Sequence, residues 1–192
     1  MKRLGVMVAL LGSAAAAGAG DLHGTVTAKG GAPAAEAVVY VDRIAGKTFP
    51  APTEHAKVDQ INMKFRPHVL PVLTGTTVDF LNSDSVNHNV FSPDVCADKF
   101  NLGTWGKGQS KSHVFAKDCA AALLCLVHPD MEGFVVAVPT PYFAITAADG
   151  TYTIAGVPDG SYTVKVWHSK LKATTKQATL PAASALDFEL AK

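Results

Sequence analysis

An all-β fold is the architecture this sequence predicts. Short runs of β-branched and aromatic residues recur between turn signals, several of them alternate with the two-residue period of a half-buried strand, and almost no helical periodicity intervenes. Gly24 to Ala28 and Val38 to Val41 open the series. Val69 to Leu73 and Thr76 to Leu81 follow, with Val78 and Phe80 on one face of the second run. Ser112 to Phe115, Ala120 to Val127 and Phe134 to Val138 form a third group. Thr151 to Ile154 and Tyr162 to Trp167 close it, with Tyr162, Val164 and Val166 sharing a face. Such alternation implies antiparallel sheets packed face to face. A β-sandwich uses about 100 residues. The chain has 192, of which 48% are hydrophobic, so two sandwiches are expected.

Composition narrows the partners. Residues 1–19 read as an export signal: Lys2 and Arg3 precede an apolar stretch from Leu4 to Leu11, and small residues lead to Ala19. That stretch is shorter than the roughly 20 apolar residues of a membrane span, and no later segment supplies them. Removing Lys2 and Arg3 from the 17 basic residues leaves them one short of the 16 acidic ones. No Lys/Arg cluster remains to follow a phosphate backbone, so nucleic acid is not an expected partner, and neither is an anionic membrane surface. The expected compartment is the periplasm, or the exterior after secretion.

An oxidising compartment makes the three cysteines informative, because an odd number leaves one thiol for another task. Read as a strand, Cys119 to Cys125 would hold its two sulfurs roughly 20 Å apart at about 3.3 Å per residue. A disulfide tolerates a Cα separation of at most about 7 Å. Cys96 with Cys119 is then the sensible bridge, and Cys125 is left free.

Cys125 stands in the run Cys125-Leu126-Val127-His128-Pro129-Asp130-Met131, which places a thiol, an imidazole and a thioether three residues apart. Soft sulfur donors beside an imidazole suit copper better than any hard cation, and His88 upstream offers a fourth donor. Two histidines and a cysteine with a long, weak methionine bond make a blue-copper electron-transfer site. Zinc accepts imidazole and thiolate too. Asn89 is the expected supporting residue, its amide tying the two ligand loops together while a nearby backbone N–H bonds the sulfur. His128-Pro129 is expected to bring one imidazole edge to the surface, inside an apolar patch of Pro129, Met131 and Pro139.

Residues 50–140 resemble the cupredoxins, the type 1 blue-copper family that includes amicyanin, pseudoazurin and plastocyanin. Four pieces carry the resemblance: Pro71 to Asn82, Asp84 to Phe91 with the asparagine directly after His88, Ser110 to Phe115, and Cys125-x-x-His128-x-x-Met131 followed by Gly133-Phe-Val-Val. The resemblance implies a Greek-key β-sandwich holding one type 1 copper ion on His88, Cys125, His128 and Met131. Residues 22 to 46, together with 144 to 190, resemble a carboxypeptidase regulatory-like, transthyretin-like module. Asp149-Gly150 favours a tight primed turn there, and Pro158-Asp159-Gly160 another turn, so two hairpins are expected. The expected organisation is a signal at 1–19, a discontinuous outer sandwich at 20–49 plus 141–192, and the cupredoxin-like domain inserted at 50–140.

The leading function is a periplasmic or secreted mononuclear copper protein that passes single electrons between redox partner proteins docking near His128. The alternative is a copper-binding protein for trafficking, storage or sensing. An enzyme is not expected. Oxidases and nitrite reductases that couple a blue copper to a second metal do so through histidines flanking the cysteine, and here Leu124 and Leu126 flank it. His23, His55, His68, His113 and His168 are read as structural, although a second site at His68, His113 or His168 stays open. Trp105, between Gly103 and Gly106, is expected to cap the sandwich, the alternative being that the stretch from Cys96 to Gly108 shapes a docking surface.

Overall fold

The computed structural model describes residues 18–182 and 184–192. Most of the expected export signal therefore lies outside the described residues. No α-helix occurs among the described residues, and sixteen strands carry the fold. In chain order they are β1 (Ala19–Ala28), β2 (Val38–Val41), β3 (Ala56–Gln60), β4 (Phe65–Arg66), β5 (Val69–Leu73), β6 (Thr77–Asn82), β7 (His88–Phe91), β8 (Asn101–Trp105), β9 (Ser110–Val114) and β10 (Cys119–Leu124). Six more follow: β11 (Glu132–Val138), β12 (Phe143–Ile145), β13 (Thr151–Pro158), β14 (Gly160–Trp167), β15 (Thr174–Leu180) and β16 (Phe188–Leu190).

These strands form four sheets. One pair of sheets, ordered β5-β11-β10-β7-β8 and β4-β3-β6-β9, draws only on residues 56–138. The other pair, β13-β1-β16 and β12-β2-β14-β15, draws on residues 19–41 and 143–190. Each pair closes over its own core, as alternating side chains require. Val58, Val78 and Phe80 meet Val72, Ala121, Leu123 and Val135 in the first. Leu22, Val26, Ile154 and Phe188 meet Val39, Val41, Val164 and Val166 in the second.

Strand β11 explains how the two pairs join. Its run Phe134 to Val138 is apolar without alternation, which fits a strand covered on both faces. Val135 and Ala137 point into the first core. Phe134, Val136 and Val138 point the other way, onto Val38, Tyr40, Phe143 and Trp167. Strands β2 and β14 are two-faced as well, since Val39, Val41, Val164 and Val166 serve the second core. The junction is thus a sheet-on-sheet contact with its own apolar layer, and the Cys125–Met131 loop leads into the start of a strand covered on both faces.

Cys96 and Cys119 are bridged, with their Cα atoms 5.5 Å apart, and Cys125 is free and buried. The bridge pins the short 3-10 turn Val95–Ala97 to the first residue of β10, where the Asp94 carboxylate also accepts the Ala122 N–H at 2.7 Å.

Three local expectations change. Gly150 does adopt a positive φ of 81°, but the loop has three residues, Ala148 to Gly150, closed by Ala147 N–H to Thr151 O at 2.9 Å. It is a three-residue connection with glycine at the left-handed position rather than a two-residue primed turn, and it closes no hairpin within a sheet, because β12 and β13 lie in different sheets. Pro158-Asp159-Gly160 does not close a hairpin, because β13 and β14 lie in different sheets; the turn crosses between layers, and the Tyr162 hydroxyl donates back to Pro158 O at 2.9 Å. The strand expected over Ala120 to Val127 ends at Leu124, where the chain leaves the sheet to form the Cys125–Met131 loop.

Candidate metal centre

His88 opens β7 and is 0% exposed, paired across the sheet with Trp105. Cys125 follows the last residue of β10 and is 3% exposed. The chain then turns through Leu126 to Asp130 and re-enters the sheet at β11, with Met131 buried just ahead of it. Met131 N–H donates to His128 O at 3.0 Å, which closes the four residues from His128 to Met131 into a turn. Three of the four expected donors therefore hang on one short loop, and the fourth stands on the neighbouring strand.

The polar atoms converge. His88 Nδ1 and His128 Nδ1 lie 3.0 Å apart, and Cys125 Sγ is 4.0 Å from His128 Nδ1. All three donor atoms fall within 4.8 Å of one another. An ion bonded at about 2.0–2.3 Å in tetrahedral geometry keeps its ligands roughly 3.3–3.8 Å apart, so the spread suits a single ion. The hydrogen-bond pattern points the same way. A carboxylate only accepts, so the 2.8 Å contact between His88 Nε2 and Asp84 Oδ2 places the hydrogen on Nε2. In the neutral ring His88 Nδ1 then presents a lone pair towards His128 Nδ1, beside the sulfur in a buried space. Thiolate and imidazole are donors that copper and zinc share. Met131 occupies the same apolar cluster as Cys125, as a weak thioether donor would.

The surrounding bonds lock this arrangement. The Asn89 N–H donates to Cys125 Sγ at 3.5 Å, and its side-chain Oδ1 accepts the Leu126 N–H at 3.3 Å. Asn89 Nδ2 donates to Asn101 Oδ1 and Gly103 O, both at 2.8 Å. One asparagine thus joins β7, β8 and the Cys125–Met131 loop. Asp84 is a participant the sequence reading gave no role. Burial pushes its carboxyl up, but hydrogen bonds from the Met63 N–H, His88 and the Asn62 N–H outweigh that and hold it below the ordinary carboxylate range. The four-residue spacing from Asp84 to His88 was the available signal, although such a spacing on a loop does not by itself imply contact.

Only part of the expected apolar patch surrounds His128. Met131 is buried, and Pro139 follows the last residue of β11, at the opposite end of a seven-residue strand from the ligand loop. Exposed Leu126, at 62%, with Val127 and Pro129 supplies the apolar surface around half-buried His128 instead. Trp105 is buried in the core, and Lys111 Nζ lies 5.7 Å from its ring centroid.

The other histidines stand apart. His23 is exposed on β1, and His55 pairs with Asp79 at 2.9 Å. His113 stacks on Phe100 with centroids 3.9 Å apart, and burial pushes its pKa down. His68 pairs with Glu36 at 2.8 Å near the junction and shares a cleft there with His168, whose pKa burial also lowers. Among the described residues, His88, Cys125 and His128 are the one group of three that could hold a metal ion.

No protein-family model matches the chain, and no curated protein matches it. Among solved structures, a purple cupredoxin from Nitrosopumilus maritimus is similar at 29% identity over 43% of this chain and 98% of its own, with a TM-score of 0.39. A reduced tryptophan-to-tyrosine mutant of amicyanin matches at 27% identity over 45% of this chain and 84% of its own, with a TM-score of 0.42. A copper-containing nitrite reductase from Thermus scotoductus SA-01 matches at 24% identity over 52% of this chain and 25% of its own, with a TM-score of 0.44.

Proposed function

We propose that the chain is a single-copper electron carrier, with His88, Cys125, His128 and Met131 as the ligands. The convergence of two Nδ1 atoms and one sulfur within 4.8 Å, beside a half-buried His128, carries this reading. When bound, copper supplies a one-electron Cu(I)/Cu(II) couple, and the two-histidine, one-cysteine set with a methionine serves both states.

The protein's own residues do the rest. The ends of β7 and β10 fix His88 and Cys125, while the His128 to Met131 turn fixes the other two positions. Ligands held by a buried sheet shift little when the charge at the centre changes, which keeps the reorganisation cost of electron transfer low. The Asn89 N–H on Cys125 Sγ withdraws charge from the sulfur and favours the reduced state. Asp84 on His88 Nε2 acts in the opposite sense by raising the basicity of that imidazole. Leu126, Val127 and Pro129 give a redox partner protein an apolar contact around the His128 edge.

This reading takes residues 50–140 as the copper-carrying unit and 20–49 plus 141–192 as its support. It takes the protein to be an exported carrier rather than an enzyme. Leu124 and Leu126 beside Cys125 offer no ligand bridge to a second metal, and the Cys96–Cys119 bridge suits the periplasm or the exterior. The test is electron self-exchange between oxidised and reduced copper-loaded protein, followed by NMR line broadening. Rapid exchange that slows when Leu126 is replaced by Lys supports a carrier docking near His128. Sluggish exchange, with ready transfer of Cu(I) to a chelating acceptor, overturns it in favour of a copper-handling protein.

A further inference from the structure

The hairpin between β3 and β4 is closed by Ile61 N–H to Lys64 O at 3.0 Å and Lys64 N–H to Ile61 O at 3.2 Å. Its two central residues, Asn62 and Met63, have φ of 55° and 54°. That conformation is a primed two-residue turn, for which Asn-Gly is the favoured pair and methionine at the second position is strained. Something must hold Met63 there. Both central N–H groups donate to one carboxylate, Asn62 to Asp84 Oδ1 at 2.7 Å and Met63 to Asp84 Oδ2 at 2.9 Å.

The same Oδ2 accepts from His88 Nε2 at 2.8 Å. Asp84 is itself anchored, its N–H donating to Asn82 Oδ1 at 2.9 Å, and its side chain is 14% exposed. One partly buried carboxylate therefore bridges a ligand histidine that is 0% exposed and a surface turn whose Met63 is 56% exposed. Ile61 and Val86 are exposed apolar neighbours in the same two loops.

We propose that Asp84 is a positioning residue that couples the Ile61–Lys64 turn to the orientation and tautomer of His88. The geometry leaves little freedom. If the turn opens, Asp84 loses two of its three donors and is no longer held against the ring. If Asp84 is lost, the strained turn loses the contact that stabilises it, and His88 Nε2 loses the acceptor that keeps its hydrogen. The consequence for metal rests on the reading of the site given above; the coupling between turn and histidine does not.

Two variants test it in metal-free protein. Asp84→Asn keeps the shape but puts an NH2 group where one of the two acceptor oxygens stood. Met63→Pro acts from the surface side, because proline cannot take a positive φ and has no N–H to give. Amide hydrogen exchange reads the turn, and 15N shifts of the His88 ring read its tautomer. The expected result is at least tenfold faster exchange at Asn62 in both variants, and loss of the single Nε2–H tautomer of His88 in both. Loss of copper or zinc affinity by about 10- to 100-fold should accompany it, the usual cost of removing a partner of a ligand histidine. A wild-type His88 tautomer in Met63→Pro overturns the coupling, and that variant decides the matter should Asp84→Asn fail to fold. If the tautomer shifts but wild-type protein takes up no metal, the coupling stands and the copper reading fails.

Discussion

Replacing Asn89 by Ala probes the joint on which the Cys125–Met131 loop depends. The side chain is 1% exposed and makes three hydrogen bonds, two through Nδ2 and one through Oδ1. Their losses are unequal. Asn101 is exposed, and its Oδ1 keeps the Gly103 N–H at 2.9 Å, so this bond contributes little. The Gly103 carbonyl and the Leu126 N–H lose partners in partly buried positions, each worth about 1 kcal/mol. The variant should therefore be about 2 kcal/mol less stable, and a chain of this size should melt roughly 4–8 °C lower. The assay is urea unfolding of the metal-free, disulfide-intact protein, with equal m-values required for the comparison. The metal-loaded variant should also release its metal faster, since the Leu126 amide would no longer be tied to β7. A stability loss below about 0.5 kcal/mol would show that water replaces the side chain at no cost, and the claim that Asn89 joins the loops would be refuted.

Removing the Cys96–Cys119 bridge by a double Ala substitution opens a loop of 23 residues, and loop-closure entropy predicts a loss of about 3 kcal/mol in urea unfolding. Metal uptake at saturating metal should persist, because Cys125 takes no part in that bridge. Trp167→Ala should weaken the junction, where its ring lies 5.2 Å from Phe134; a cost of about 2 kcal/mol is expected for a half-buried Trp, and amide exchange in β1 and β10 should then diverge. Acid should erode stability through Asp187. The Thr25 hydroxyl and N–H hold its carboxyl below the ordinary 3.8, so its contribution is fully present above that value and is lost as pH falls through the lower folded pKa. Thr25→Val should flatten the unfolding profile below about pH 4, and an unchanged profile would remove Asp187 from the explanation.

The residues differ in how plainly they announced their places. Val78 and Phe80, or Tyr162, Val164 and Val166, alternate cleanly because each set faces one core while the residues between them, Asp79 or Thr163 and Lys165, are polar. Phe134 to Val138 does not alternate, and the sheet-on-sheet junction is why. Strands such as Ala56–Gln60 and Asn101–Trp105 escaped notice because lysine, aspartate, asparagine and glycine carry little β signal; pairing with β6 and β7 imposes their conformation. At the candidate site, Cys125, His128 and Met131 were legible because all three lie within seven residues. The contact of Asp84 with Asn62 and Met63 spans more than twenty residues and exists only once β3 and β6 are parallel neighbours. The misplacement of Pro139 has a similar origin. Proximity in the sequence to the closing strand hid the length of that strand, which separates Pro139 from His128.

Titration of the metal-free protein with Cu(II), followed by visible absorption and EPR, tests the copper site most directly. One equivalent should produce an intense visible band with the EPR signature of a blue site, and Cys125→Ala should abolish both while leaving the far-UV spectrum of the fold unchanged. A weak tetragonal copper spectrum in the wild type, or colour retained in Cys125→Ala, would contradict the assignment of His88, Cys125, His128 and Met131 as a blue-copper centre.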